Sequence, residues 1–204
     1  MIREPIFTAT PIKELRPTQI TVGLREVAEK RKGWRDKHGA KAGEFLAGHM
    51  IPVVLGPKQR PYVTDHHHLA LALRDEGVTE VATSVVLDLS RLEPDAFWVV
   101  LDNRALTHPF DEHGRRQRYQ DIPRSIDDLI DDPYRSLAGG LRRVGGYAKD
   151  TTPFSEFQWA DFLRRRIRRR EVDKHFERAL DTALELAKSA DADYLPGWCG
   201  PTDD

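Results

Sequence analysis

The stretch from Ile51 to Leu89 constrains the chain most. Ile51-Pro52-Val53-Val54-Leu55 is a short apolar run of strand type, and Gly56-Pro57-Lys58-Gln59-Arg60 has turn chemistry before a second run at Tyr62-Val63-Thr64. A hairpin is expected. Asp65 then stands before His66-His67-His68-Leu69-Ala70-Leu71-Ala72-Leu73-Arg74, whose leucines and alanines favour a helix up to about Gly77. Val81 to Leu89 is dense in β-branched residues and reads as a buried strand. Strand, strand, helix and strand in that order call for a small mixed sheet with helices, an α/β (α+β) unit.

The flanks extend this unit. Ile6 to Leu15 reads as a first strand that stops at Arg16-Pro17, because proline has no amide to donate. A helix is expected after Thr18-Gln19, ending near Gly33, and the glycine-punctuated stretch Gly39 to Gly48 reads as a loop or short helix. Another helix starts at Ser90 or Glu93-Pro94 and runs through Phe97-Trp98-Val99-Val100-Leu101, with Asp102-Asn103-Arg104 closing it. Thr107 to Arg124 is polar, and the pattern beyond it is helical to Asp193. A hydrophobic share of 39% in 204 residues provides one core and argues against a second independent one. The expected organisation is an α/β domain over 6–106, a connecting loop over 107–123 and a helical extension over 124–195.

A net charge of −1 gives no overall field to attract nucleic acid or an anionic membrane, so any anion must be caught locally. The single cysteine, Cys199, forms no internal disulfide, and no leader or membrane span shows itself. The expectation is a cytoplasmic protein without a membrane partner. Its oligomeric state is not legible.

The chemistry concentrates at Asp65, His66, His67 and His68. Aspartate before a helix caps free amides, and a helix N-terminus suits a phosphate or carboxylate. Three successive histidines cannot all face one cleft, since each is rotated by about 100° from the last. Those that do face it are candidates for donating to an anion or moving a proton near neutral pH. Asp65 is a candidate cap, base or ligand to a hydrated magnesium ion. No pair of histidines has the i, i+3 or i+4 spacing of a helical metal site, so a tightly bound zinc is not expected.

In the order strand, Leu15-Arg16-Pro17-Thr18-Gln19, helix, Ile51-Pro52-Val53-Val54, Tyr62 to Leu73, Gly77 and Val81 to Leu89, the first half resembles the N-terminal domain of the ParB/sulfiredoxin superfamily. There a strand of the type "vvdG" leads into a helix that starts with GERR in chromosome-partitioning ParB, GCHR in sulfiredoxin and DGTHR in the free-serine kinases. Asp65 and His68 match the aspartate and histidine of the kinase pattern. His67 stands where the sulfiredoxin cysteine and the kinase threonine stand, and Leu69 replaces the final arginine. Sulfiredoxin chemistry, which needs a thiol, is thereby excluded. Gln19 falls near the kinase's glutamate base, so Glu26 or Glu29 would have to substitute. Leu101-Asp102-Asn103-Arg104 is similar to the ParB "ENlqR" segment, and the whole chain looks most like the ParB-like nuclease branch, a label that rests on fold analogy.

In the second half, Pro133 to Gly146 combines small residues with Arg135, Arg142, Arg143 and Ser136, which suits either phosphate binding or close helix packing. It is not a P-loop. Phe154, Phe157 and Leu163 form a stripe that reads as core, and Arg164 to Arg170 is a basic cluster balanced by Glu171, Asp173, Glu177, Asp181 and Glu185. Residues 173–190 form a last amphipathic helix, the ordered chain ends near Leu195 to Gly200, and Thr202 to Asp204 should fray.

The leading expectation is a small-molecule enzyme of phosphotransferase or hydrolase type, doing acid/base or nucleotide-dependent phosphoryl transfer at the helix start. Asp65, His66, His67 and His68 are its candidate catalytic residues, and Gln19, Lys30, Arg135, Ser136 and Arg142 its candidate substrate or phosphate ligands. Magnesium with ATP or ADP is the implied cofactor set, and a small-molecule substrate or nucleotide, rather than DNA, the implied partner. The alternatives are a DNA-associated ParB-like nuclease or clamp using the arginines of 164–170, and a non-catalytic nucleotide or ligand sensor.

Overall fold

The structure is a computed structural model describing residues 7–37 and 48–201, so most of the Gly39–Gly48 stretch and the last residues from Thr202 lie outside it. Its centre is a five-stranded mixed sheet built from β1 (Phe7–Pro11), β2 (Arg16–Pro17), β4 (Ile51–Gly56), β5 (Arg60–Val63) and β6 (Glu80–Asp88), in the order β1-β6-β4-β5-β2. The expected hairpin is present: β4 and β5 run antiparallel, joined by Pro57–Gln59 with Lys58 and Gln59 at positive φ. β4 runs parallel to β6, with a register shift between Val53 and Val54, and β1 is antiparallel to β6.

Helices α1 (Leu24–Lys37) and α2 (His67–Asp75) form a core with the sheet through Val27, Trp34, Leu69, Ala70 and Leu73, while α3 (Pro94–Asn103) sets Phe97 and Leu101 against Val54. α1 does not end near Gly33 as expected. Nothing lies within 4 Å of where a Cβ on Gly33 would sit, and the next residue, Trp34, is buried. Burying that indole offsets the roughly 1 kcal/mol that a mid-helix glycine costs. α2 stops where expected, with Gly77 at φ +78° and Val78 N–H donating to the Leu73 carbonyl. β6 is less buried than its composition implied: Val81 and Thr83 are buried, whereas Val86 is exposed.

The helical half comprises α4 (Pro133–Arg143), α5 (Ser155–Arg164), α6 (Arg169–Lys174) and α7 (Phe176–Lys188). It has a buried cluster of its own around Trp159, Leu137, Leu141 and Ala183, contrary to the expectation of a single core. The Trp159 ring stacks on Tyr147 with centroids 4.4 Å apart, and its Nε1–H donates to the Pro196 carbonyl at 2.8 Å. Aromatic area compensates here for a modest share of aliphatic residues.

A strand pair that the sequence did not announce joins the halves. β3 (Thr21–Val22) runs parallel to β7 (Ile130–Asp131), with Ile130 N–H donating to the Ile20 carbonyl and Asp132 N–H to that of Val22. Asp131 also accepts from Leu24 N–H at 2.8 Å, the first amide of α1. Next to this pair Gly23 meets α4: a Cβ there would lie 2.6 Å from both the amide nitrogen and Oγ of Ser136. Gly23→Ala is therefore expected to cost about 1–3 kcal/mol by overpacking, seen as a lower urea midpoint, whereas Gly33→Ala should stabilise by up to about 1 kcal/mol.

Candidate functional site

A cleft of about 320 Å³ opens between the two halves. The α/β half contributes Gln19, Thr64, Asp65, His67 and His68, and the helical half contributes Arg135, Arg142, Tyr147 and most of the segment from Lys149 to Phe157.

The three histidines part company for a backbone reason. His66 takes a left-handed conformation, φ +65°, as the residue before α2, and its exposed ring turns toward the Met50 carbonyl, 3.1 Å from Nδ1. It does not line the cleft. The same turn directs an Asp65 carboxylate oxygen to the amide of His66 at 2.6 Å, so Asp65 is not the cap it was expected to be. The first helical bond runs from Ala70 N–H to the His66 carbonyl, leaving the amides of His67, His68 and Leu69 without helical acceptors.

His67, only 3% exposed, accepts the Thr18 amide at Nε2 (3.2 Å), and His68 accepts the Gly23 amide at Nε2 (3.0 Å). An imidazole that accepts at one nitrogen carries its proton on the other, so both rings are neutral Nδ1–H tautomers. Burial lowers His67 to a pKa of about 3 and pushes His68 well below the usual histidine range, with Arg135 adding to both shifts. Acting as proton carriers near neutral pH, the role expected for them, is not what these environments favour. They wall the cleft and hold the chain from Thr18 to Gly23.

Arg135 is the most unusual group at the cleft. It is 5% exposed, lies 3.7 Å from the Phe157 ring centroid, and reaches Glu156 through Nη2 at 3.3 Å. Its Nε and Nη1 are buried and have no hydrogen-bond partner among the described residues. Arg142, more exposed, bonds the other oxygen of Glu156, so one carboxylate bridges both cleft arginines. Gln19 also lines the cleft, its amide nitrogen donating to the Thr21 carbonyl. Two other candidate ligands do not line it. Ser136 is buried against Gly23, and its Oγ accepts from Arg25 N–H at 3.2 Å, so its role is packing. Lys30 is exposed on α1. Glu26, a possible substitute base, is held by both oxygens to Arg143.

Glu156 and the aromatic wall were missed by sequence reasoning. Phe154 and Phe157 line the cleft instead of joining the core that takes Leu163, and both pack on His108, with Phe157 at 3.8 Å. Phe154 has φ +58°, a conformation costly for a bulky side chain. The available signal was Phe154-Ser155-Glu156-Phe157 at a helix start, an acidic residue between two aromatics. In the basic cluster, Arg164 bonds Asp132 and Asp161, Arg165 bonds Asp161, Arg169 bonds Asp173, and Arg166 lies over Phe162. Ile167 is buried between them.

Among the described residues no three His, Cys, Asp or Glu side chains converge as a metal site, and no helix is long and apolar enough to cross a membrane. Of the Asp65 carboxylate, one oxygen accepts the His66 amide and the other has no partner among the described residues, so it would be the atom to hold a magnesium ion.

Sheet order, helix start and cleft describe a mixed α/β unit with a helical half packed on it. A family model described as "Putative ParB-like nuclease" matches residues 8–165, and the chain belongs to that family. It is also similar to protein Atu1540 from Agrobacterium tumefaciens, known from a crystal structure, with 56% identity over 98% of this chain and 99% of that one and a TM-score of 0.92. No curated protein matches.

The state of His67 has a measurable consequence. Its pKa is lower folded than unfolded, so its contribution to stability is complete above about pH 6.5 and is lost as pH falls toward 3. Between pH 5.5 and 4.5 the wild type should lose about 1.4 kcal/mol more than His67→Asn in urea unfolding. Equal slopes would show that His67 is already charged in the native state.

Proposed function

We propose that the protein is a small-molecule enzyme whose cleft binds its substrate through an anionic group. Arg135 carries this reading. A guanidinium in a protein interior with two unmet donors is expensive, because desolvation is offset only by good hydrogen bonds, and an oxyanion provides acceptors for such a fork. The helix start of α2, whose first amides have no acceptor among the described residues, has the same preference for negative charge.

The roles divide by environment. Arg135 and Arg142 hold the anion. Asp65, exposed at the cleft with an unengaged oxygen, is the group available to accept a proton or to hold a magnesium ion with a phosphorylated ligand. In a phosphoryl transfer the acceptor's O–P bond would form as the donor's P–O bond breaks, with the acceptor's proton passing to Asp65. Membership of the ParB-like family and the helix-start motif support a phosphate-bearing substrate, and a nucleotide with a small polar acceptor is the form that motif favours. The arginines of 164–170 support a DNA reading less, since several of them are engaged by Asp132, Asp161 and Asp173.

Calorimetric titration with ATP, ADP, CTP and inorganic phosphate, with and without magnesium, tests the reading. At least one should bind, and Arg135→Met should weaken it by roughly tenfold to a hundredfold without lowering the unfolding midpoint, because an under-satisfied buried charge is removed. Asp65→Asn should abolish turnover of the ligand so found and leave Tm near wild type. Binding without turnover would make the protein a sensor, and no binding at all would remove the anion site.

A further inference from the structure

We infer that the carboxylate of Glu156 occupies the cleft's anion subsite as an internal substitute ligand, and that the true ligand enters by displacing it. The inference rests on the anion-binding reading above. Glu156 places one oxygen on Arg135 and the other on Arg142, so the subsite fits an oxyanion that presents two acceptor oxygens to two guanidinium groups.

The fit of Glu156 is incomplete in a particular way. Its bond to Arg135 is 3.3 Å, longer than the 2.7–2.9 Å usual for a charged pair, and it leaves Nε and Nη1 of Arg135 unmet. A free oxyanion is not tied to a helix backbone and is able to approach Arg135 more closely. Glu156 is tied: it lies in the first turn of α5, whose start at Phe154 is left-handed and has no side-chain cap. The residues just before it, Thr151, Thr152 and Pro153, are exposed. The outer wall of the cleft is thus fastened by the Glu156 ion pairs together with the packing of Phe154 and Phe157 on His108, and displacing the carboxylate removes one of these ties.

Displacement differs from the two other roles open to this carboxylate. An internal competitor lowers the affinity of every anion by one common factor, whatever the ligand's charge. A carboxylate that stays beside the bound ligand repels a dianion more than a monoanion. A carboxylate that orients Arg135 for the ligand strengthens binding.

The experiment titrates methyl phosphate, a dianion at pH 8, and acetate into the full-length wild type and Glu156→Gln, and follows hydrogen exchange across residues 149–157. Displacement gives Glu156→Gln a gain of about tenfold for both anions alike, the worth of roughly one charged hydrogen bond. Wild-type exchange across the wall rises on adding methyl phosphate, and in the variant it is already high and does not change. Equal or weaker binding by the variant overturns the inference, as does a gain confined to the dianion, and both leave the anion site itself intact. If neither protein binds either anion, the site reading fails and the inference falls with it.

Discussion

Every residue of α4 from Pro133 to Leu141 is buried, and this places a permanent charge largely out of water at the wall of the cleft. α4 packs on Gly23 through Ser136 and on Glu26 of α1 through Gly139, on α5 through the Trp159 cluster, and on α7 through Phe176 and Leu180 beside Gly140. Arg135 therefore cannot extend to solvent as surface arginines do. What holds it in place among the described residues is one ring face, one long bond to Glu156 and the nearby charge of Asp132. The proposed site follows from that confinement: an arginine already held in position would spend little on ordering when it met an anion.

The α/β half supplies the opposite wall, and it does so through the backbone. The nitrogens of His67 and His68 point at the amides of Thr18 and Gly23, which belong to the segment linking β2 and β3 to α1. That segment is also held by β7, by Thr107 through the Thr18 carbonyl, and by Asp131 at the first amide of α1. The histidines thus act as joints between the helix start and the strand that crosses to the helical half. Their neutrality is a condition of this, because a protonated Nε2 cannot accept.

Much of the α/β half was legible in the sequence because its signals are local. Gly56 to Arg60 is turn chemistry whatever surrounds it, and the leucines and alanines of 69–73 favour a helix locally. The likeness to ParB proteins was carried by those same segments, and the family match confirms it. What escaped was decided at a distance. That His67 and His68 accept amides 49 and 45 residues away, and that Ser136 faces Gly23, are properties of how the halves meet. The left-handed turn at His66 changed the role of Asp65, and no residue type there announces it, since non-glycine residues seldom adopt it. Phe154 and Phe157 have the spacing of a core stripe, and only the position of α5 at the rim of the cleft makes them its wall.

The most direct measurement of the central claim is the Nε–H resonance of Arg135 in 15N-labelled protein, titrated with methyl phosphate. A buried guanidinium that receives an oxyanion should show a slowly exchanging Nε–H that shifts and saturates with the ligand, and the signal should be missing from Arg135→Met. An Arg135 resonance unmoved by anion while another arginine responds would contradict the account, for the anion would then be held elsewhere.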